Sequence, residues 1–281
     1  MKTLTLTLLT TLITTPTFAK RDDDHNRVPR IKLRAANHCS DLQVENVVDW
    51  FKGYEEVNYL DQRIGKVFNQ GSVGWCFTYT VRDLVHFQTG ISPEIGMLAK
   101  DYYTGFVGTI TGLFSNNEGG YTYNNLKRTI RNGLCEKGSI NMLATPKNVE
   151  KLSCNTPKIN ISSYGKPYKK TGTHKGRGHS LYPQLDQYLS NGQMVAIAYN
   201  ANGLRKDKYR TDGFFSKYNA NHASTIVGRY FDEDTQNCTY IIRNSWGTNY
   251  NYALKGKQKD GYHTITEKDL SQSLSELTVF E

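Results

Sequence analysis

The spacing of hydrophobic residues changes near residue 193, and this change constrains the fold of the 281-residue chain more than any other feature. Before it, apolar residues recur every three or four positions, as on one face of a helix; Phe77, Val81 and Leu84 are an example. After it, short β-branched and aromatic runs alternate with turn residues, which predicts strands. We therefore expect an α+β protein whose helical N-terminal lobe and β-rich C-terminal lobe meet at a cleft, a favoured place for a ligand site.

Turn and capping residues predict where the individual elements lie. Glycine after a helical pattern indicates a helix end, and a polar residue followed by proline and an acid indicates a helix start. The predicted helices cover Trp75 to Gln88, start at Ser92-Pro93-Glu94, end at Gly133 and end at Gly192, and the predicted strands cover 194–199, 223–230 and 239–242.

The N-terminal segment predicts an exported protein. Lys2 precedes an apolar run that closes with Thr17-Phe18-Ala19, the pattern of a signal peptide cleaved after residue 19. Residues 20–58 are charged and resemble a flexible leader or short pro-segment, which leaves 59–281 as the folded domain. We expect secretion, either extracellular or into a bacterial periplasm. The run is too short for a membrane span, so we predict none.

Composition narrows the classes of protein further. The net charge is +9, with 37% hydrophobic and 12% aromatic residues, which excludes a disordered or collagen-like chain. The basic stretch from Lys166 to His179 contains glycines and is predicted to be an exposed loop. Nucleic-acid binding would need such charge on a regular element interleaved with stacking aromatics, so we predict no nucleic-acid partner. We expect a monomer.

Five cysteines leave at least one thiol outside any disulfide within the chain. Cys135 and Cys154 could form a disulfide, while Cys39 and Cys238 could pair or stay reduced; sequence alone does not decide the connectivity. Cysteines at the close double spacing of a zinc site are absent from the sequence, so we predict neither a metal nor a cofactor. Cys76 is the candidate for the unpaired thiol.

The surroundings of Cys76 are those of a nucleophile. The segment Gln70-Gly71-Ser72-Val73-Gly74-Trp75-Cys76 places the cysteine in the first turn of an amphipathic helix. The partial positive charge and free amides of a helix N-terminus favour the thiolate, which is the reactive form of cysteine. A buried, inert cysteine is the alternative that this segment alone leaves open.

Downstream residues supply partners for this thiol. Asn221-His222-Ala223 opens a predicted strand, and Asn244-Ser245-Trp246-Gly247 follows another. His222 lies 146 positions after Cys76, within the separation of about 130 to 150 residues typical of papain-like enzymes. Together these residues resemble the papain family of cysteine peptidases. The resemblance extends from Leu60 to Ile265 and implies a two-lobed fold with the active site between the lobes.

The resemblance also implies a role for each matching residue. Cys76, His222 and Asn244 would form a catalytic triad, with the Gln70 side chain and the Cys76 amide as the oxyanion hole. The expected mechanism is hydrolysis of peptide bonds through a thiolate and imidazolium pair and an acyl-enzyme. The remaining residues implied by resemblance are Trp246, which would shield the histidine, Gly119 and Gly120, which would bind an extended substrate, and Thr122 and Ala223, which would flank a substrate pocket.

The chain departs from the family pattern near the nucleophile. Val73 and Asn117 stand where the resemblance places the two cysteines of a disulfide, and Trp75 replaces a small residue directly before Cys76. We expect the Trp75 side chain to add bulk beside the substrate path. An acyl transferase or amidase with the same triad, and a catalytically silent binding protein, remain alternatives because fold alone does not fix function.

Overall fold

The computed structural model describes residues 64–116, 118–172, 179–204, 220–232, 234–249 and 256–281. The predicted signal peptide, the predicted leader and the start of the predicted domain at residue 59 lie outside these residues. No helix of the described part is long and apolar enough to cross a membrane.

The helices gather mainly before residue 133. The first four are α1 (Cys76–Thr89), α2 (Ile95–Tyr103), α3 (Phe106–Ser115) and α4 (Thr122–Asn132), followed later by α5 (Tyr182–Ser190) and α6 (Glu267–Ser271). Four short 3₁₀ helices cover Val149–Lys151, Ser162–Tyr164, His179–Leu181 and Ala201–Leu204. Gly90 ends α1 in the left-handed conformation, with φ of 73°, which confirms the predicted stop.

Seven strands of the described part form one antiparallel sheet in the order β1-β7-β2-β3-β4-β6-β5. The strands are β1 (Pro167–Thr171), β2 (Val195–Tyr199), β3 (His222–Asp232), β4 (Asn237–Arg243), β5 (Gln258–Lys259), β6 (Tyr262–Thr266) and β7 (Leu274–Phe280). The architecture is the predicted α+β fold, and the three strands predicted from hydrophobic runs are confirmed as β2, β3 and β4.

Hydrophobic residues cover the sheet on both faces. Val195, Ile197 and Tyr199 pack with Leu185 of α5 on one face, whereas Ala196 packs with the helices α1, α2 and α4 on the other. This alternation follows from the two-residue period of a strand. A third cluster lies within the helical lobe and includes Trp75, Phe77, Tyr102 and Tyr103. Because α1 contributes to both the second and the third cluster, it is the element on which the two lobes meet.

Buried charges also join α1 to the sheet. Asp83 on α1 accepts from Arg82 Nη1 at 2.7 Å and from Arg243 Nε at 2.9 Å. Arg243, the last residue of β4, further donates to the Gly65 carbonyl at 2.7 Å and to the Tyr262 hydroxyl at 2.5 Å. Asn244 follows Arg243 directly, so this network ties the helix that begins with Cys76 to the strand that precedes Asn244.

Two local predictions were wrong. Helix α2 is capped by Glu94, whose carboxylate accepts from the Gly96 amide at 3.4 Å and the Gly138 amide at 2.9 Å, so Ser92 is not its cap. Pro93 bridges Glu136 and therefore lies outside the first turn. Part of the predicted basic loop is strand β1, because pairing with the C-terminal strand β7 overrides the weak local propensity. Residues 173–178 of that stretch lie outside the described residues.

The cysteines divide as their spacing allowed. Cys135 and Cys154 form a disulfide, and Cys238 is disulfide-bonded as well. Cys76 is the free cysteine of the described residues. Cys39 lies outside them.

Candidate active site

Cys76 is the first residue of α1, and its thiol lies half-buried where α1 packs against β3. Gly71, with φ of 59°, provides the left-handed turn that leads into this helix. Burial raises the pKa of the Cys76 thiol, and this effect outweighs the backbone N–H groups of Ala223, Phe77 and Cys76, which lower it. The amide of Ala223 is on β3, directly after His222, so the thiol faces the start of that strand.

His222 and Asn244 meet at the ends of neighbouring strands. His222 begins β3 and Asn244 follows β4, and the ladder between these strands, with Thr225 opposite Arg243, brings the two side chains together. His222 Nε2 lies 2.8 Å from Asn244 Oδ1, and both side chains are buried. Burial lowers the pKa of His222 to about 4, and the hydrogen bond to Asn244 opposes that shift. The imidazole is therefore neutral at pH 7.

The hydrogen bonds around Asn244 fix the orientation of its amide and the histidine tautomer. The backbone N–H of Ser245 can only donate, and it lies 2.8 Å from Asn244 Oδ1, so this atom is the carbonyl oxygen. His222 Nε2 must then carry the hydrogen that it donates to the same oxygen. In the neutral ring the other nitrogen, Nδ1, is consequently an acceptor, as a general base requires.

Aromatic rings pack against two sides of the imidazole. Trp246 stacks on His222 with ring centroids 4.6 Å apart and an interplanar angle of 27°. Tyr199, which pairs with His222 across β2 and β3, lies edge-on with centroids 5.6 Å apart. The predicted contact between Trp246 and the histidine is thus present, and the two rings restrict rotation of the imidazole.

Gln70 is held beside Asn244 by the main chain and by Ser245. Its backbone N–H donates to the Ser245 carbonyl at 2.8 Å, and its side-chain carbonyl accepts from the Ser245 hydroxyl. The side-chain Nε2 donates to the Val73 carbonyl at 2.8 Å. A primary amide has two hydrogens on nitrogen, so one remains for a ligand.

The glycine pair does not present two equivalent backbone groups. The N–H of Gly119 donates to the Gly74 carbonyl at 2.7 Å, and the carbonyl of Gly119 accepts from the Tyr103 hydroxyl at 2.8 Å. A Cβ at Gly120 would come within 2.7 Å of Phe77 Cζ, which explains the need for glycine there. Gly120 is exposed, and its N–H and C=O have no backbone partner among the described residues. Gly120 is therefore the member of the pair that can bind an extended peptide.

The residues assigned to the substrate pocket differ in placement from Trp75. Thr122 begins α4 and Ala223 is the second residue of β3; both side chains are small, uncharged and buried. The expectation that Trp75 adds bulk beside the substrate path is wrong. Its side chain is 4% exposed and packs with Phe77 and Tyr103 inside the helical lobe.

Three residues of the site were not predicted. Ser245 holds Gln70, Ser224 donates to Asn244 Oδ1 at 3.3 Å, and Tyr103 binds Gly119. Ser245 was within the Asn244-Ser245-Trp246-Gly247 string, so a signal for it existed. Ser224 lies two positions after His222 and hence on the same face of β3. Tyr103 has no signal, because its contact with Gly119 depends on how α2 packs. The described residues contain no group of three acidic, histidine or cysteine side chains that could hold a metal ion.

The sequence and the structure were compared with known proteins. Residues 111–274 match the family model described as papain family cysteine protease. That segment contains His222, Asn244 and the glycine pair, and it begins after Cys76. No curated protein matches the sequence.

Solved structures with a similar fold include three proforms of cysteine proteases. Procathepsin L2 and procathepsin L 3 from the larval midgut of Tenebrio molitor give TM-scores of 0.54 and 0.52, with 16% and 15% identity over 79% and 78% of this chain. The ragweed pollen cysteine protease Amb a 11 in its proform gives a TM-score of 0.50, with 15% identity over 83% of this chain and 65% of its own. This chain spans 66% of the length of each procathepsin. Identities this low support the shared fold alone.

Proposed function

Because the chain belongs to the papain family of cysteine proteases, we propose that it is an active endopeptidase whose nucleophile is Cys76 and whose base is His222. The observation that carries this proposal is the hydrogen bond of 2.8 Å between His222 Nε2 and Asn244 Oδ1. It leaves Nδ1 as the basic nitrogen, beside a free thiol whose sulfur faces the amide of Ala223. A histidine held only for packing would need neither a fixed tautomer nor a neighbouring free thiol.

The protonation states favour proton transfer during attack. Burial raises the pKa of Cys76 and lowers that of His222 to about 4, so thiol and imidazole are both uncharged at rest. As sulfur attacks the scissile carbonyl carbon, an S–C bond forms and the thiol proton passes to His222 Nδ1. That proton then goes to the leaving amine when the C–N bond breaks, which leaves a thioester on Cys76. Water resolves the thioester, with His222 again acting as the base.

The developing oxyanion is stabilised in this proposal by two donors. One is the backbone N–H of Cys76 at the start of α1, where the amides are not used by the helix. The other is the remaining hydrogen on Gln70 Nε2, which the contacts with Val73 and Ser245 hold in a fixed orientation. Donors fixed before the reaction act on charge that appears only in the transition state, so they raise turnover more than binding.

Substrate binding in this proposal uses Gly120, Thr122 and Ala223. An extended peptide would pair with the exposed backbone of Gly120, as peptides do with an unpaired strand. The subsite next to it would be walled by Thr122 and Ala223, which are small and uncharged. An apolar substrate side chain is then favoured there, since a buried charge without a partner is unfavourable.

We also propose that the protein is secreted and acts as a monomer. The disulfide between Cys135 and Cys154 supports secretion, because such bonds persist in oxidising compartments. In this proposal residues 1–19 are removed on export, and 59–281 form the peptidase domain. The N-terminal sequence of the exported protein tests the cleavage site.

Product analysis tests the proposed function and its alternatives. The full exported chain is incubated with a peptide library, with and without a primary amine, and products are identified by mass spectrometry. Free carboxyl termini in both samples support the peptidase. Amide products that form in preference to hydrolysis would indicate a transferase, and no products would indicate a binding protein. Cys76→Ala is the control for a contaminating enzyme, because it removes the nucleophile with little change in volume.

A further inference from the structure

A buried tyrosine lies between the start of α1 and the glycine pair. The hydroxyl of Tyr103 donates to the Gly119 carbonyl at 2.8 Å, and it accepts from the indole N–H of Trp75. The tyrosine is 3% exposed and Trp75 4% exposed, so water cannot readily replace these bonds. Burial raises the pKa of the Tyr103 hydroxyl, which keeps it protonated and able to donate.

The tyrosine connects two segments that act on the same peptide under the proposed function. Trp75 is directly before Cys76, and Gly119 is directly before Gly120. A second bond, from the Gly119 N–H to the Gly74 carbonyl at 2.7 Å, joins the same two segments. Gly74 and Gly119 are both needed for this approach: a Cβ at Gly74 would lie 3.0 Å from Glu118 Cβ, and Gly119 has φ of 72°.

We propose that Tyr103 is a positioning residue that, together with Trp75, sets the distance between the nucleophile and the substrate-binding backbone of Gly120. This inference rests on the proposed function and adds a determinant of substrate binding to it. Val73 and Asn117 stand at the positions of the cysteines that would link these segments covalently in the resemblance. The link is therefore made by hydrogen bonds in the described residues, and Trp75 and Tyr103 supply its side chains.

The aromatic packing explains how a single hydroxyl can set this distance. The Tyr103 ring lies edge-on to Phe77 with centroids 6.1 Å apart and edge-on to Tyr102 with centroids 5.1 Å apart. Phe77 follows Cys76 in α1, so movement of Tyr103 would move the helix start as well. Edge-to-face packing restrains the ring, and the hydroxyl transmits this restraint to the Gly119 carbonyl.

Tyr103→Phe tests the proposal, since it removes only the hydroxyl. Tyr182→Phe is the matched control: Tyr182 is also buried, and its hydroxyl donates to the Glu267 carbonyl on the other face of the sheet. We expect Tyr103→Phe to raise KM for a peptide substrate about 3- to 10-fold, the effect of one hydrogen bond. The rate at which iodoacetamide alkylates Cys76 should stay within about twofold of the parent, because this reagent does not need Gly120.

Hydrogen exchange provides a readout that is independent of activity. Exchange of the amides in 118–121 should become faster in Tyr103→Phe and stay unchanged in Tyr182→Phe. Trp75→Phe should act in the same direction, and the double variant should add little, because the two side chains form one chain of hydrogen bonds. Unchanged exchange at 118–121, or an equal increase in Tyr182→Phe, would overturn the proposal. If the parent cleaves no peptide, the proposed function fails and the exchange experiment still decides on Tyr103.

Discussion

The two sides of the candidate site are positioned by different kinds of interaction. On the sheet side, the backbone ladder between β3 and β4 positions His222 and Asn244, and Trp246 follows in the same segment. On the helix side, Cys76 and Gly120 are positioned by individual side chains and by glycines that allow close approach. A ladder distributes its stabilising effect over many bonds, whereas the helix side depends on a few. Single substitutions on the helix side should therefore alter the site more selectively.

The junction between the two sides should give the largest loss of stability. Asp83 on α1 is the anion between Arg82 and Arg243, whose side chains are 3% and 1% exposed. Asp83→Ala leaves two buried cations without it, and we expect the free energy of unfolding to fall by about 3 to 5 kcal/mol. Urea unfolding measures this loss. The control is Lys257→Ala, which breaks an exposed pair with Asp234 and should cost less than about 1 kcal/mol. Equal losses in the two variants would contradict a buried junction.

Gln70 tests whether the helix side acts on the transition state. Gln70→Ala should lower kcat for peptide hydrolysis by about 10² to 10³ and leave KM nearly unchanged, because the amide donates to charge that is absent in the bound substrate. Gln70→Glu should lose a similar factor, since it replaces the donor with an acceptor. A rise in KM at constant kcat would assign Gln70 to substrate binding.

The sheet side should make stability depend on pH. Burial and the proximity of His222 lower the pKa of His263 to about 3, compared with about 6.5 in an unfolded chain. Between these values the unfolded chain binds a proton that the folded chain does not, so stability falls as pH falls. The contribution of one such histidine is about 1.4 kcal/mol per pH unit. His263→Gln should reduce the slope of unfolding free energy against pH between 6 and 4 by this amount, and an unchanged slope would contradict the shift.

Substrate preference is the smallest expected effect. Thr122 and Ala223 predict a preference for small or medium apolar side chains two positions before the cleaved bond, with a discrimination of about 10- to 200-fold per methylene group at most. A peptide-library cleavage profile measures it. A clear preference for arginine or glutamate at that position would show that other residues line the subsite.

The contrast between the two sides also explains what the sequence predicted. His222, Asn244 and Trp246 were found because strand patterns and a short motif place them near one sheet end, and α1 was found from its periodicity and Gly90. Tyr103 and Asp83 were not found, since their roles depend on the packing of α2 and on the register of β4 against α1. The burial of Trp75 and the formation of β1 were also missed, because tertiary contacts outweighed local patterns.

The central claim is that Cys76 is the nucleophile and His222 its base, and the rate of thiol labelling tests it most directly. The parent and His222→Ala are treated with a peptidyl epoxide at pH 7, and the adduct is located and timed by mass spectrometry. Asn237→Ala, at the far end of the β3 and β4 ladder, is the control. We predict a single adduct on Cys76, formed about 10² to 10⁴ times more slowly in His222→Ala. Labelling of Cys76 at the same rate in both proteins would contradict the account.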